Sequence, residues 1–309
     1  MILDKAVALP KYLKMIRNRE LQKATIYITE RCNSRCLTCN IWQKKNPKDM
    51  SVEMIKDIVS NNIFIVLQGG EPLLHPKIDE ILTLLQGHDY QMFSNGILAD
   101  KLYDYVIRYH IPQVALSCDG TGEFYKKARG VDNYKNVERL VKALSKITTV
   151  EVSYIVSPWN NREELLKVHE LCKENGAHLH IDVYAEMKYF NTVTPRMEEI
   201  YKADDCEKYP SSKVLRTYSK WIKGDAEAFC HSVRFSCFIT TDGGVYACGR
   251  KMTKFGDLNT QSLREIWKSE NTLKVQNELR HCNYCWATCY RNIDVALNDV
   301  LPKFILERL

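Results

Sequence analysis

The sequence predicts an α/β fold: a parallel sheet, open or curled into a partial barrel, followed by a small cysteine-rich region. Two observations point there. Six short β-rich runs alternate with segments of helical periodicity between residues 24 and 183, and right-handed βα crossovers make such strands parallel. Nine of the twelve cysteines then fall into two groups, one just after the first run and one in the last third of the chain. The runs are residues 24–29, 63–67, 90–93, 113–117, 150–156 and 178–183. Helices are expected over 51–59, 78–85, 102–109, 137–144 and 163–172. Ser51 is the expected N-cap of the first, with Glu53 in its first turn, and Gly176 follows the last as a C-cap.

Ahead of the strands, residues 11–19 form a short basic helix candidate behind Pro10. Beyond them, 191–209 is polar and irregular and looks like a connection, and 212–223 is helical. Residues 235–240 and 245–247 flank Asp242-Gly243-Gly244, a hairpin signal. A short helix is expected over 263–267, and a terminal one over 292–309, interrupted at Pro302. The expected organisation is an N-terminal helical extension (1–23), a core (24–190), and a linker with a C-terminal cysteine domain (191–309). There is no internal repeat and no low-complexity segment.

Composition narrows the function classes. The 309 residues suit about two domains, or one large barrel with an appendage. At 45% hydrophobic and 27% charged, the chain can bury a core without staples. The net charge of +6 is mild and is no sign of a nucleic-acid partner. Arg264, Lys268, Lys274 and Arg280 are interleaved with Glu265, Glu270 and Glu278, as on a solvated helical surface. No apolar run reaches the ~18 residues of a membrane span, and the first 25 residues lack an apolar signal core. A reducing, cytoplasmic setting is therefore expected, in which clustered thiols read as metal ligands rather than disulfides.

Four motifs follow four strands. The first strand leads into Thr29-Glu30-Arg31-Cys32-Asn33-Ser34-Arg35-Cys36-Leu37-Thr38-Cys39, the second into Gly69-Gly70-Glu71-Pro72, the third into Ser94-Asn95-Gly96, and the fourth runs through Ser117-Cys118-Asp119-Gly120. In a parallel α/β barrel all four lie on the C-terminal face, where ligands bind. Three thiolates suit a cubane iron–sulfur cluster with one iron open to a ligand, whereas a structural zinc site wants four. The competing zinc knuckle, completed by a distant residue, leaves the glycines unexplained. Gly69 and Gly70 allow backbone to approach a ligand closely, and Glu71 can accept a hydrogen bond from a cationic amine.

These residues together resemble the radical S-adenosylmethionine (SAM) superfamily, over about residues 24–185. The resemblance implies a partial (β/α)6 barrel with a [4Fe-4S] cluster on Cys32, Cys36 and Cys39, its open iron chelated by SAM. It places Gly69, Gly70, Glu71 and Pro72 at the methionyl amine, and Ser94, Asn95, Ser117 and Asp119 near the ribose and carboxylate. The family usually has an aromatic residue before the third cysteine; here it is Thr38, so Trp42 or Ile41 is expected over the adenine. An electron from the cluster splits SAM into methionine and a 5′-deoxyadenosyl radical, which takes a hydrogen atom from an unactivated C–H bond. A low-potential donor such as flavodoxin or ferredoxin is the implied partner.

The later cysteines resemble the SPASM and twitch extensions of that superfamily. Cys230 is followed after twelve residues by Gly243-x4-Cys248, then by Cys282-x2-Cys285-x3-Cys289. Six cysteines are too few for two clusters, so one auxiliary [4Fe-4S] cluster is expected on Cys230, Cys248, Cys282 and Cys285, with Cys289 able to replace one of them. The competing reading is a zinc ribbon. The implied substrate is a carbohydrate-type small molecule or a peptide, ahead of a nucleotide or tRNA. The alternative of another class is a non-enzymatic zinc-ribbon interaction protein. Oxidation or crosslinking, with the auxiliary cluster as electron acceptor, is favoured over epimerisation, in which Cys118, Cys237 or Cys289 would return a hydrogen atom; alternation turns Cys118 away from Ser117 and Asp119, which favours packing for it. His180 and Asp182 alternate along the sixth strand and can point inward; Cys172 reads as a small core residue.

Overall fold

A computed structural model describes residues 13–184 and 229–298, together with 10, 189, 217, 218, 220, 221 and 223–225. The six expected strands are β1 (Lys23–Tyr27), β2 (Phe64–Gln68), β3 (Tyr90–Ser94), β4 (Gln113–Ser117), β5 (Thr149–Val156) and β6 (His178–Val183). All five neighbouring pairs are parallel and in sequence order. The connecting helices are α1 (Val52–Val59), α2 (Ile78–Leu85), α3 (Ala99–Tyr109), α4 (Gly122–Arg129), α5 (Tyr134–Leu144) and α6 (Arg162–Asn175). All but α4 turn a narrow apolar stripe to the outside of the sheet. In α5 that stripe is Val137, Leu140, Val141 and Leu144, all buried, worth about 1.5–3 kcal/mol each.

The expected caps are present. Ser51 Oγ accepts from the Met54 amide, and Gly176 closes α6 at φ +69°. Helix α4 is absent from the sequence reading. Its buried residues are Tyr125, Ala128 and Arg129 only, too few to produce a clear period.

The C-terminal part extends the same sheet. Strand β7 (Ser236–Ile239) lies parallel to β1, and β8 (Gly244–Tyr246) and β9 (Lys254–Asp257) continue antiparallel, giving the order β6-β5-β4-β3-β2-β1-β7-β8-β9. The edge that β1 would otherwise expose is thus covered. The predicted hairpin exists, with Gly243 at φ +86° in its turn. Strand β9 was not expected. Helix α7 (Leu263–Lys268) opens on a capping box between Ser262 and Glu265. Helices α8 (Glu270–Glu278) and α9 (Thr288–Asn298) follow, the latter starting four residues earlier than the sequence suggests. Residues 13–18 are helical; the rest of the N-terminal candidate, the 191–209 connection, most of 212–223 and everything past 298 lie outside the described residues.

Candidate functional site

Strand alternation builds a polar bore. Lys23, Thr25 and Tyr27 of β1, Gln91 and Phe93 of β3, Glu151, Ser153 and Ile155 of β5, and His180 and Asp182 of β6 line one cavity of about 400 Å³. The opposite faces of the same strands enter the apolar core. At the C-terminal end of the strands the cavity is lined by Cys32, Cys36, Thr38, Cys39, Ile41, Trp42, Gly69, Gly70, Pro72, Ser94, Asn95, Ser117 and Arg129. The four motifs do converge.

The cysteine loop is fastened from two sides. Arg35 and Leu37 donate their amides to the carbonyls of Arg129 and Ala128, at 3.1 and 3.0 Å. On the other side the amides of Gly70 and Glu71 each donate at 2.7 Å, to Thr29 and Arg31 carbonyls. A Cβ on Gly70 would lie 2.2 Å from the Arg31 carbonyl oxygen, and one on Gly69 would lie 2.7 Å from that of Thr29. The close approach that needs glycine is therefore to the cysteine loop, a different reason from the one the sequence suggested.

Two acids differ in direction from expectation. Glu71 does not line the cavity; it is 1% exposed. Its Oε1 accepts from Ser94 Oγ (3.0 Å) and the Leu73 amide (3.3 Å), and its Oε2 from the Asn95 amide (2.8 Å). Burial pushes its carboxyl up to about 7, even though these hydrogen bonds pull it down. Asp119 also turns inward, with Oδ1 on the Ile155 amide (2.8 Å) and Oδ2 on Arg129 Nη1 (3.1 Å). The two carboxylates tie the loops together beneath the cavity. Arg129, which sequence reasoning missed because it sits in the unpredicted α4, lines the cavity instead, and its buried Nε has no hydrogen-bond partner.

The donor set fits an iron–sulfur cluster with an amino-acid ligand. Burial pushes the Cys32 thiol up to about 11 and Cys39 up to about 12, so the bare pocket disfavours thiolates and metal cations would stabilise them. The orphan Arg129 donor suits a carboxylate. Among the described residues, no three His, Cys, Asp or Glu side chains are grouped as ligands of a single metal ion; a cubane spaces its thiolates more widely than one ion does.

Among the C-terminal cysteines, the Cys230 amide donates to the Cys282 carbonyl at 2.9 Å, the charge of Cys285 acts on Cys230, and that of Cys248 acts on Cys285. Cys289 feels the charge of Cys285 too, and it lines the cavity beside Tyr290 and Arg250. Its turn of α9 is tied to β6: Asp182 Oδ1 accepts from the Thr288 amide (3.1 Å), and Thr288 Oγ1 pairs with His180 Nε2 (2.9 Å). Cys118 and Cys237, the other thiols considered as hydrogen donors, are buried in the apolar core and do not reach the cavity. Cys237 is level with Ala24, whose neighbours Lys23 and Thr25 face the bore, so alternation points it outward. Cys172 is buried in the core, as expected.

Residues 26–172 match the family model for the Radical SAM superfamily, and residues 230–290 match SPASM, an iron–sulfur cluster-binding domain. The chain is 27% identical over 262 residues to a probable GTP 3′,8-cyclase of Methanocaldococcus jannaschii, covering 74% of this chain and 85% of the relative. It is 23% identical to the GTP 3′,8-cyclase of Helicobacter pylori, covering 75% and 81%. Among solved structures, SuiB of Streptococcus suis bound to S-adenosylmethionine superposes with a TM-score of 0.64 at 14% identity, covering 86% of this chain and 71% of that one. That likeness is one of fold.

Proposed function

Because the chain belongs to the radical SAM superfamily and carries an iron–sulfur cluster-binding domain of the SPASM type, we propose that it abstracts a hydrogen atom from a hydroxyl-rich, carbohydrate-type small molecule bound in the barrel. The observation that carries this reading is the mixed lining of the bore. Thr25, Gln68, Glu151 and Ser153 offer donors and acceptors beside the apolar faces of Tyr27, Phe93 and Ile155, a lining that suits a ligand with both hydroxyls and carbon faces.

When bound, the cluster and SAM supply one electron and a 5′-deoxyadenosyl radical that takes the hydrogen atom. The chain's own residues bind and orient. Cys32, Cys36 and Cys39 would hold the catalytic cluster, with Gly69, Gly70, Asn95 and Ser117 bordering SAM, Arg129 donating to its carboxylate, and Ile41 and Trp42 beside the adenine. Cys230, Cys248, Cys282 and Cys285 would hold the auxiliary cluster. In the oxidation branch that cluster would serve as the electron acceptor, and Glu151, His180 or Asp182, which line the cavity, would take the proton. The epimerisation branch narrows to Cys289, the one of the three candidate thiols that lines the cavity.

The test is anaerobic reconstitution with dithionite and SAM. The wild type is expected to release 5′-deoxyadenosine, and the Cys32, Cys36, Cys39→Ala triple variant to release none; persistent cleavage by the variant overturns the assignment. Sugar-type candidates should raise 5′-deoxyadenosine release, and a response to peptides alone would move the substrate to that class. The names of the curated relatives favour a second reading, a nucleoside triphosphate, with Lys23, Arg129 and Arg250 as the cavity's cations. Consumption of GTP with matching 5′-deoxyadenosine would select it. Turnover in deuterated water separates the branches: oxidation leaves no new deuterium at the reacting carbon, and deuterium lost in Cys289→Ala shows quenching by that thiol.

A further inference from the structure

The auxiliary-cluster region holds buried charges that packing alone does not call for. Arg291, on α9, is 0% exposed and the largest of the fully buried side chains among the described residues. Its Nε donates to the Cys285 carbonyl at 2.8 Å, and its Nη2 to Asn283 Oδ1 at 3.1 Å. Both acceptors belong to the 282–285 loop. Asn283 Oδ1 also accepts from Trp221 Nε1 at 2.7 Å, and the guanidinium lies 5.5 Å from the centre of the Trp286 ring. Arg291 Nη1 is 3.8 Å from Asp294 Oδ2, one turn further along α9. Asp294 in turn holds the residue after Cys230: its Oδ1 accepts from the His231 amide at 3.1 Å and meets His231 Nδ1 at 2.8 Å. Its Oδ2, also buried, has no hydrogen-bond partner.

Removing such a pair from water costs several kcal/mol per ion, and apolar side chains of similar volume often serve stability as well or better. Stability is therefore a weak reason for these charges. A four-thiolate cluster supplies a stronger one, because it brings negative charge between the two segments that the network ties.

We propose that Arg291 is a positioning residue for the auxiliary cluster: it clamps the 282–285 loop onto α9 and, opposed by Asp294, sets the cluster's reduction potential, on the reading that Cys230, Cys248, Cys282 and Cys285 hold that cluster. A buried cation stabilises the more negative, reduced cluster, and a buried anion does the reverse.

The experiment uses the full chain with Cys32, Cys36 and Cys39 replaced by Ala, so that electron paramagnetic resonance reads the auxiliary cluster alone during a redox titration. Arg291→Gln is expected to move the midpoint potential to more negative values and Asp294→Asn to more positive ones. Arg291→Lys keeps the charge and should stay nearer the parent potential. It should nonetheless lose its iron several-fold faster to a chelator, because a lysine cannot bridge Cys285 and Asn283 at once. Cluster-loaded variants that titrate with the parent, or that shift in the same direction, overturn the proposal. If Arg291→Gln does not fold, Asp294→Asn decides by itself: a potential that fails to rise overturns it. A background protein without any four-iron cluster overturns the ligand reading, and the proposal with it, before any Arg291 variant is made.

Discussion

At the residue scale, the site rests on side chains whose jobs differ from their first appearance. Glu71 and Asp119 sit in motifs that face a ligand, yet both carboxylates turn into the protein and hold neighbouring loops. Glu71→Gln would set an amide donor against the Asn95 or Leu73 amide. It is expected to lower stability by about 1–3 kcal/mol, measured by urea denaturation. A Glu71→Gln protein of unchanged stability that loses only SAM affinity would put the carboxylate back at the ligand. Arg129 is the cation that Asp119 presents to the cavity. Arg129→Lys keeps the charge beside Asp119 but loses the planar fork, so SAM affinity should fall about tenfold in calorimetry of reconstituted protein. Unchanged affinity removes Arg129 from the SAM site.

At the scale of elements, the loops after β1 and β2 act as one unit. Their backbones approach so closely that Gly70 has no room for a methyl group, whose carbon would lie 2.2 Å from the Arg31 oxygen. Gly70→Ala should therefore cost about 1–3 kcal/mol and loosen the cysteine loop. Iron bound on reconstitution should fall toward the amount held by the auxiliary site alone; full iron content would show that the loops can part without harm. The same close contact explains why the Gly-Gly pair was legible as a motif while its reason was not. Sequence order shows that two glycines follow a strand. It does not show which surface their missing side chains face.

At the scale of the whole molecule, one sheet, nine-stranded among the described residues, carries both cysteine groups, because β7 adds to the edge of β1. Long-range ties support that sheet from outside. Glu164 of α6 is one of them: its side chain is 2% exposed and accepts from the Thr121 amide and hydroxyl (2.6 and 2.7 Å) and from Lys167 (2.6 Å). Burial alone would raise its pKa, but the hydrogen bonds from Lys167 and Thr121 win and hold it below the usual carboxylate range. A depressed folded pKa contributes stability above the unfolded value, about 4.3, that is lost as pH falls through the folded value. Glu164→Gln should thus be less stable than wild type by roughly 1–3 kcal/mol at pH 7, with the gap closing below about pH 4. A gap that is constant with pH in urea denaturation would remove the charge from the account.

The sequence by itself determined the six strands, their parallel sense and the caps at Ser51 and Gly176, and the resemblance of its motifs gave the cofactor class. All of these are local or periodic signals: alternation, turn residues, and thiols spaced within one loop. It also put His180 and Asp182 on one face of the sixth strand, while leaving open whether that face turns inward or packs. Alternation along the fourth strand also turned Cys118 toward packing. Only the tertiary structure decided that β7 joins β1, that Cys289 faces the cavity while Cys237 does not, and that Arg129, Glu151 and Arg250 share the bore. Tertiary structure likewise buried Arg291 against the 282–285 loop. These facts depend on which segments meet, several of them far apart in the chain, and on which side of a strand or helix the meeting occurs. The free energy that selects such contacts comes from burial and pairing between distant segments, and no local spacing encodes it.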